Sequence, residues 1–170
     1  MPQPVPKRPV NLVPAKKGDI FSLGAITIRV MEDGSRTDNR IGAAEFLLPP
    51  KTPGPPPHWH EMHDETFLVT QGRLKFHNCI PSEGAESTDI VADEGDYVVV
   101  PTRAPHTFSN PYDEEAKVFI TFTPAFYINY FKLLGSLAEE GKPVSKEANI
   151  NAMLNYATIP LARYEVQVPQ

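Results

Sequence analysis

The stretch PPPHWHEMHDE at residues 55–65, running on into Thr66-Phe-Leu-Val-Thr70 and Gln71-Gly72, leaves the chain few ways to fold. Prolines fix φ and remove backbone donors, so they force an extended approach; the β-branched and aromatic run after Glu65 then reads as a strand entering a tight turn. On an extended backbone residues i and i+2 share a face, so His58 and His60 project together while Trp59 points away. Glu65 lies five residues beyond His60, the wrong parity for that face on one unbroken strand. The polar segment Glu61-Met-His-Asp64 therefore reads as a reversal, after which Glu65 heads a new strand and carries Phe67 and Val69 inward with it. Two imidazoles and a carboxylate turned to one place have the spacing of a metal site. One further histidine, His106, is of the right type in a suitable setting. Residues 95–110 read as a strand, a loop pinned by Pro101 and Pro105, and a second short strand that takes in His106.

The same period of two recurs along the chain. Short runs at residues 20–23, 26–30, 43–48, 73–80, 89–92, 97–100 and 117–123 are separated by Gly, Pro, Asn and Asp turns. About nine or ten short strands at close spacing make a mainly β, antiparallel sandwich or barrel. Within 73–80, Leu74, Phe76, Asn78 and Ile80 alternate with Arg73, Lys75, His77 and Cys79, which puts His77 on the polar side. Glu45 shares a face with Ala43 and Leu47, so it either lines the cavity or sits as a charge on an outward strand face. Residues 117–123 carry Val118, Ile120 and Phe122 on one face and Phe119 on the other, a strand expected to be covered on two sides. From Tyr127 the period changes to three and four, through Tyr130, Phe131, Leu134, Leu137 and Ala138, which predicts an amphipathic helix ending near Glu140-Gly141. Ser145 can cap a second helix over residues 146–156, with Ile150, Met153 and Leu154 on one face. Residues 164–168 alternate like a strand able to pair with an edge. The expected organisation is a proline-rich arm at 1–17, a β-barrel at 18–124, and a helical extension at 125–170. The extension packs over an open end or the outer face of the barrel, or mediates a dimer.

Composition removes several classes of function. With a net charge of −5 and no basic block, the chain lacks the clustered Lys and Arg that bind phosphate backbones, so no nucleic-acid partner is expected. Cys79 is the single cysteine, so no intrachain disulfide can form, and it reads as a small apolar strand residue. No apolar run approaches the roughly 18 residues of a membrane span, and residues 1–9 lack the apolar core of a signal peptide. A cytoplasmic protein without a membrane partner is the expectation. At 170 residues the chain can bury roughly 70% of its unfolded surface, enough for a core that needs no metal to fold.

The two histidine segments resemble the cupin family, whose motifs run G-x5-H-x-H-x(3 or 4)-E-x6-G and G-x5-P-x-G-x2-H-x3-N. His58, His60, Glu65 and Gly72 stand at the spacing of the first, with Thr52 in place of its opening glycine and Gly54 close by. Gly95, Pro101, His106 and Asn110 stand at the spacing of the second, with Arg103 in place of its central glycine. Arg103 either sits at the mouth of the site or reaches solvent. The resemblance implies a single jelly-roll barrel with a metal held by His58, His60, Glu65 and His106. The lead-in Pro-Pro-Pro-His-x-His and the C-terminal helical pair resemble the quercetin-dioxygenase-like branch of cupins, which implies a substrate with an enolate or phenolate that chelates the ion.

Three imidazoles and one carboxylate suit a divalent first-row transition metal, with iron, manganese, nickel, copper, cobalt and zinc all admissible. Four protein ligands on a six-coordinate ion leave positions open for substrate oxygens, water or dioxygen, whereas a closed site would be structural. The expected cavity wall comprises Glu45, Phe67, Val69, Phe76, Tyr97, Phe108, Ile120 and Phe122, which suits a flat or apolar small molecule. Glu65 can double as ligand and base, while His63, in the reversal, reads as a loop residue or one behind the ligands and, with Glu45 or Tyr97, as a proton carrier in a non-redox alternative. A dioxygenase is the leading function. The alternatives are a non-redox isomerase, cyclase or dehydratase, and a small-molecule-binding protein without catalysis. Exposed jelly-roll edges are liabilities that a second copy can cover, so a homodimer is expected.

Overall fold

The structure, a computed structural model, describes residues 7–78, 89–138 and 144–161. Period-two alternation builds β1 Asp19–Leu23, β2 Ile26–Asp33, β3 Gly42–Leu48, β4 His58–His60, β5 Asp64–Gln71, β6 Arg73–Asn78, β7 Asp89–Asp93, β8 Tyr97–Val100, β9 His106–Ser109 and β10 Ala116–Thr123. A single 3-10 turn, Ala125–Tyr127, then leads into α1 Ile128–Leu137, α2 Lys146–Asn155 and a last short strand, β11 Thr158–Pro160. The strands form two antiparallel sheets, ordered β1-β2-β3-β10-β5-β8 and β11-β4-β9-β6-β7. This is the mainly β jelly-roll with two C-terminal helices that the residue pattern predicts. No described helix is long and apolar enough to cross a membrane.

The core follows from parity. Ile26, Ile28 and Val30 of β2 are buried while Thr27 and Arg29 between them are not, and β5 repeats this with Glu65, Phe67 and Val69. Phe67, Phe76 and Phe108 meet between the sheets with ring centroids 5.1 to 6.0 Å apart, in edge or tilted geometry that aromatic quadrupoles favour. β10 lies between β3 and β5, and Val118, Ile120 and Phe122 are fully inside. Its outer face is less covered than expected. Phe119 opposes Leu68 and Glu45 in the sheet and stays half-buried, because α1 packs on the inward face of this sheet, where Phe131 meets Phe46 and Phe122.

Two glycines are dictated by close approach. Gly72, at φ +69°, turns β5 into β6, and a Cβ there would stand 2.5 Å from the Glu115 carbonyl oxygen. At Gly54 a Cβ would fall 1.5 Å from the Phe108 oxygen, so the proline-rich approach to β4 can lie against β9 only without a side chain.

The helices close over the barrel. α1 buries Ile128, Tyr130, Phe131 and Leu134, packs on β1 and β2, and brings Gly135 against the Phe21 ring, where a Cβ would be 2.4 Å away. Lys132 Nζ donates to Asp33 Oδ2 at 2.5 Å, tying α1 to the end of β2. The helix stops at Leu137, and the expected terminus at 140–141 lies outside the described residues. Ser145 caps α2, its Oγ accepting from the Ala148 N–H at 3.1 Å. Residues 1–6 of the arm, Cys79 and Ile80, the 81–87 loop and the strand pattern at 164–168 also lie outside the described residues.

Candidate metal centre

Register brings the site together. β4 and β9 are antiparallel neighbours with His58 opposite His106, and strand parity sets His60 beside His58. The reversal after His60 then crosses to the facing sheet, where Glu65 enters from β5. Asp64 fastens that crossing, its Oδ1 accepting from the backbone N–H and hydroxyl of Thr102 at 2.7 and 2.9 Å. These bonds lower the Asp64 carboxyl below its ordinary value. Asn110 holds the far end of the loop, its amide donating to the carbonyls of Leu48, Pro49 and Glu114 at 2.7 to 3.0 Å.

His58, His60, His63, Glu65 and His106 are all buried, at 2–5% exposure. His58 Nε2 lies 3.2 Å from His60 Nε2, and Glu65 Oε1 lies 3.2 Å from the Nε2 atoms of both His60 and His63. Glu65 Oε2 lies 3.5 Å from His106 Nε2. Ligand-type atoms within 4.8 Å of one another form two overlapping groups, His58/His60/His106 and His60/His63/Glu65.

The donor chemistry fits a cation. His58 Nδ1 lies 2.8 Å from the Pro56 oxygen and His106 Nδ1 2.9 Å from the Ala104 oxygen, and a carbonyl only accepts. Both rings therefore carry their proton on Nδ1 and turn an Nε2 lone pair inward. Among the described residues the buried His106 Nε2 has no hydrogen-bond partner. Two nitrogens bound to one ion at about 2.1 Å sit roughly 3.0–3.4 Å apart, which matches the His58 to His60 separation of 3.2 Å. Burial, reinforced by His106 and His60, pushes His58 down to about 3, and burial also lowers His60, so both imidazoles are neutral at neutral pH, the form that a metal requires. Burial works against the Glu65 carboxylate, but His60, His106 and His63 outweigh it and hold the carboxyl well below its usual range.

His63 stands behind Glu65. Its ring stacks on Tyr127 with centroids 4.2 Å apart, and it is absent from the cavity wall. The cavity holds about 40 Å³ and is bordered by His58 and Glu65 on its polar side. Of the wall residues expected from sequence, Phe67, Phe108, Ile120 and Phe122 line it. Val69 and Phe76 are buried deeper in the core and do not reach it. Tyr97 and Glu45 face the other way. β8 pairs with β5 so that Val98 opposes inward Phe67 and Tyr97 opposes outward Leu68, leaving Tyr97 60% exposed. Glu45 lies on the outer face of β3, where Arg29 Nε donates to its Oε1 at 3.2 Å. Arg103 also points to solvent. Its φ is +68°, the left-handed region natural to the glycine of the resembled motif, and its Nε donates to Glu61 Oε2 at 2.8 Å. The Trp59 indole N–H donates to the other oxygen of Glu61 at 2.7 Å, so Glu61 ties both side chains outside the site. His77 lies on the polar side of β6, 2.6 Å from Asp89.

The rest of the wall comes from Leu23, Ile26, Phe46 and Pro55 of the barrel and, after β10, from Tyr127, Tyr130, Phe131 and Met153. Their helical spacing marks them as apolar-face residues but does not say what they face. Thr158 Oγ1, 2.9 Å from His60 Nδ1, carried no signal at all in the sequence.

Comparison with known proteins agrees with this fold. Residues 44–122 match the family model described as Cupin domain. No curated protein matches the chain in sequence. Among solved structures, KdgF from Halomonas sp. superposes with a TM-score of 0.54 at 20% identity, over 68% of this chain and 94% of that one. An RmlC-like cupin from Shewanella frigidimarina gives 0.53 at 18%, over 65% and 87%. The oxalate decarboxylase of Lactobacillus farciminis, in a formate complex, gives 0.52 at 22%, over 62% of this chain but only 31% of the decarboxylase. With a cupin domain matched over residues 44–122 and such barrels as its structural neighbours, the chain has the cupin jelly-roll fold.

Proposed function

We propose that this chain is a metal-dependent enzyme that binds a small aromatic or enolisable molecule through oxygen at the His58, His60, Glu65 and His106 centre and joins it to dioxygen, as a quercetinase-like oxygenase does. One observation carries the reading: a polar donor set opens, at His58 and Glu65, onto a cavity otherwise walled by aliphatic and aromatic side chains. A divalent first-row ion bound there supplies open coordination positions and, where redox-active, a route to dioxygen. The apolar wall around Phe67, Phe108 and Phe122 excludes water and suits a ring or an enolic carbon skeleton. Glu65 Oε1 lies 3.2 Å from the Nε2 atoms of His60 and His63, while Oε2 lies 3.5 Å from His106 Nε2, so Oε2 is the less crowded oxygen and the one assigned to take the substrate's hydroxyl proton. An aromatic ring needs a cavity of about 150 Å³. The space of about 40 Å³ therefore has to widen to admit such a substrate.

The 3.2 Å contact between His63 Nε2 and Glu65 Oε1 favours a second reading. A buried acid and imidazole in contact can move a proton between two carbons or oxygens of one substrate, as an isomerase, cyclase or dehydratase requires. Dioxygen decides between the two. Candidate phenols and enols are assayed in air and in a glove box, with the native ion and with redox-inert zinc. The oxygenase consumes dioxygen in step with product and stops without it. Full anaerobic turnover, with product isomeric to substrate, sinks the oxygenase and promotes the proton-transfer reading.

A further inference from the structure

We propose that Thr158 is a positioning residue that sets the tautomer of His60, so that the metal centre is completed by a strand lying outside the matched cupin domain. The inference rests on the metal reading above. His58 and His106 have no choice of tautomer, since a backbone carbonyl faces each Nδ1. His60 does have a choice. Its Nε2 lies 3.2 Å from Glu65 Oε1, so a proton on Nε2 would find a carboxylate acceptor and close off the atom a metal needs. Its Nδ1 lies 2.9 Å from Thr158 Oγ1, and a hydroxyl can donate or accept.

Which tautomer wins therefore depends on where the Thr158 proton goes. That hydroxyl donates to the Tyr156 carbonyl oxygen at 3.4 Å, which turns an oxygen lone pair towards His60 and accepts its Nδ1–H. The placement is built in by the backbone. β11 pairs with β4 in a register that sets Thr158 opposite His60 and Pro160 opposite His58. Backbone bonds from Glu61 N to the Ala157 oxygen and from Leu161 N to the Pro57 oxygen, both 2.9 Å, bracket the pair. Thr158 is fully buried, so no water competes for His60 Nδ1.

The test uses the full chain, stripped of metal and titrated with Co(II) and Zn(II) against a competing chelator. Thr158→Val keeps the shape and removes the hydroxyl. It is expected to weaken binding about 10- to 100-fold and to alter the Co(II) absorption spectrum, as loss of a ligand's outer partner does. Thr158→Ser keeps the hydroxyl and is expected to restore both affinity and spectrum. The melting temperature of each metal-free variant separates a positioning effect from general damage. A Val variant with wild-type affinity and spectrum overturns the inference, and so does a Ser variant that falls as far as Val. Failure of the wild type to bind either ion overturns the metal reading itself. Should Thr158→Val not fold, imidazole nitrogen shifts of the metal-free wild type decide: His60 protonated at Nδ1 supports the inference, and protonation at Nε2 overturns it.

Discussion

Arg103 spends a long cation on a position built for glycine. At φ +68° a side chain costs roughly 1–2 kcal/mol over glycine, and the ion pair it makes with Glu61 is exposed and screened by solvent. Arg103→Gly and Arg103→Ala both lose that pair and differ only in backbone freedom. The glycine variant is therefore expected to be the more stable of the two by about 1 kcal/mol in urea unfolding. Equal midpoints would show that the left-handed conformation is not held. The histidines divide as cleanly. His58→Ala, His60→Ala and His106→Ala are each expected to lose stoichiometric metal, whereas His77→Ala keeps it, because His77 faces Asp89 on the polar side of β6. Metal analysis of the four variants checks this, and a fully loaded His106→Ala breaks the ligand set. Spacing alone made His58, His60 and Glu65 legible, since i and i+2 share a face. Spacing could not say which face of a lone strand is inside. Parity offers two faces, and only a neighbour's register, Leu68 for Tyr97 and Phe119 for Glu45, chooses the outward one for both.

Among the elements, α1 was readable from its period and β11 was not. Tyr130, Phe131 and Leu134 mark a buried stripe at helical spacing, but Thr-Ile-Pro is too short to show alternation, and its strand character comes from pairing with β4. Where the helices dock is likewise a tertiary matter. Part of the docking is electrostatic. The hydrogen bond from Lys132, followed by those from Ser35, holds the Asp33 carboxyl far below its unfolded value near 3.8. A carboxyl whose folded pKa is depressed adds stability above the unfolded value and loses it as pH falls towards the folded one. Asp33→Asn is expected to cost about 0.5–1.5 kcal/mol at pH 7, in the range of a partly exposed charged hydrogen bond. The gap from wild type should stay level down to about pH 5 and narrow below pH 4. Urea melts across that range measure it, and a gap that widens in acid would mean Asp33 is not the group that anchors α1.

For the molecule as a whole, the question is whether the metal serves the fold or the fold serves the metal. The barrel closes around Phe67, Phe122, Ile120 and Val118, each at most 1% exposed, and α1 adds Phe131, whose ring meets Phe46 edge-on at 5.4 Å. A core of that kind supplies stability without an ion, unlike small metal-stapled domains. Cation removal should then leave a cooperative, folded protein with unchanged far-UV circular dichroism. The convergent Nε2 atoms of His58 and His60 still repel one another when nothing lies between them, so binding must feed back on stability. By linkage, an ion present at 100 times its dissociation constant adds about 2.7 kcal/mol. In a chain of this size that is a rise of roughly 5–10 °C in melting temperature. The rise should continue with the logarithm of ion concentration and be absent in His60→Ala. A metal-free protein that melts without a cooperative transition would reverse the reading, making the centre a structural staple and removing the open coordination positions on which the proposed chemistry depends.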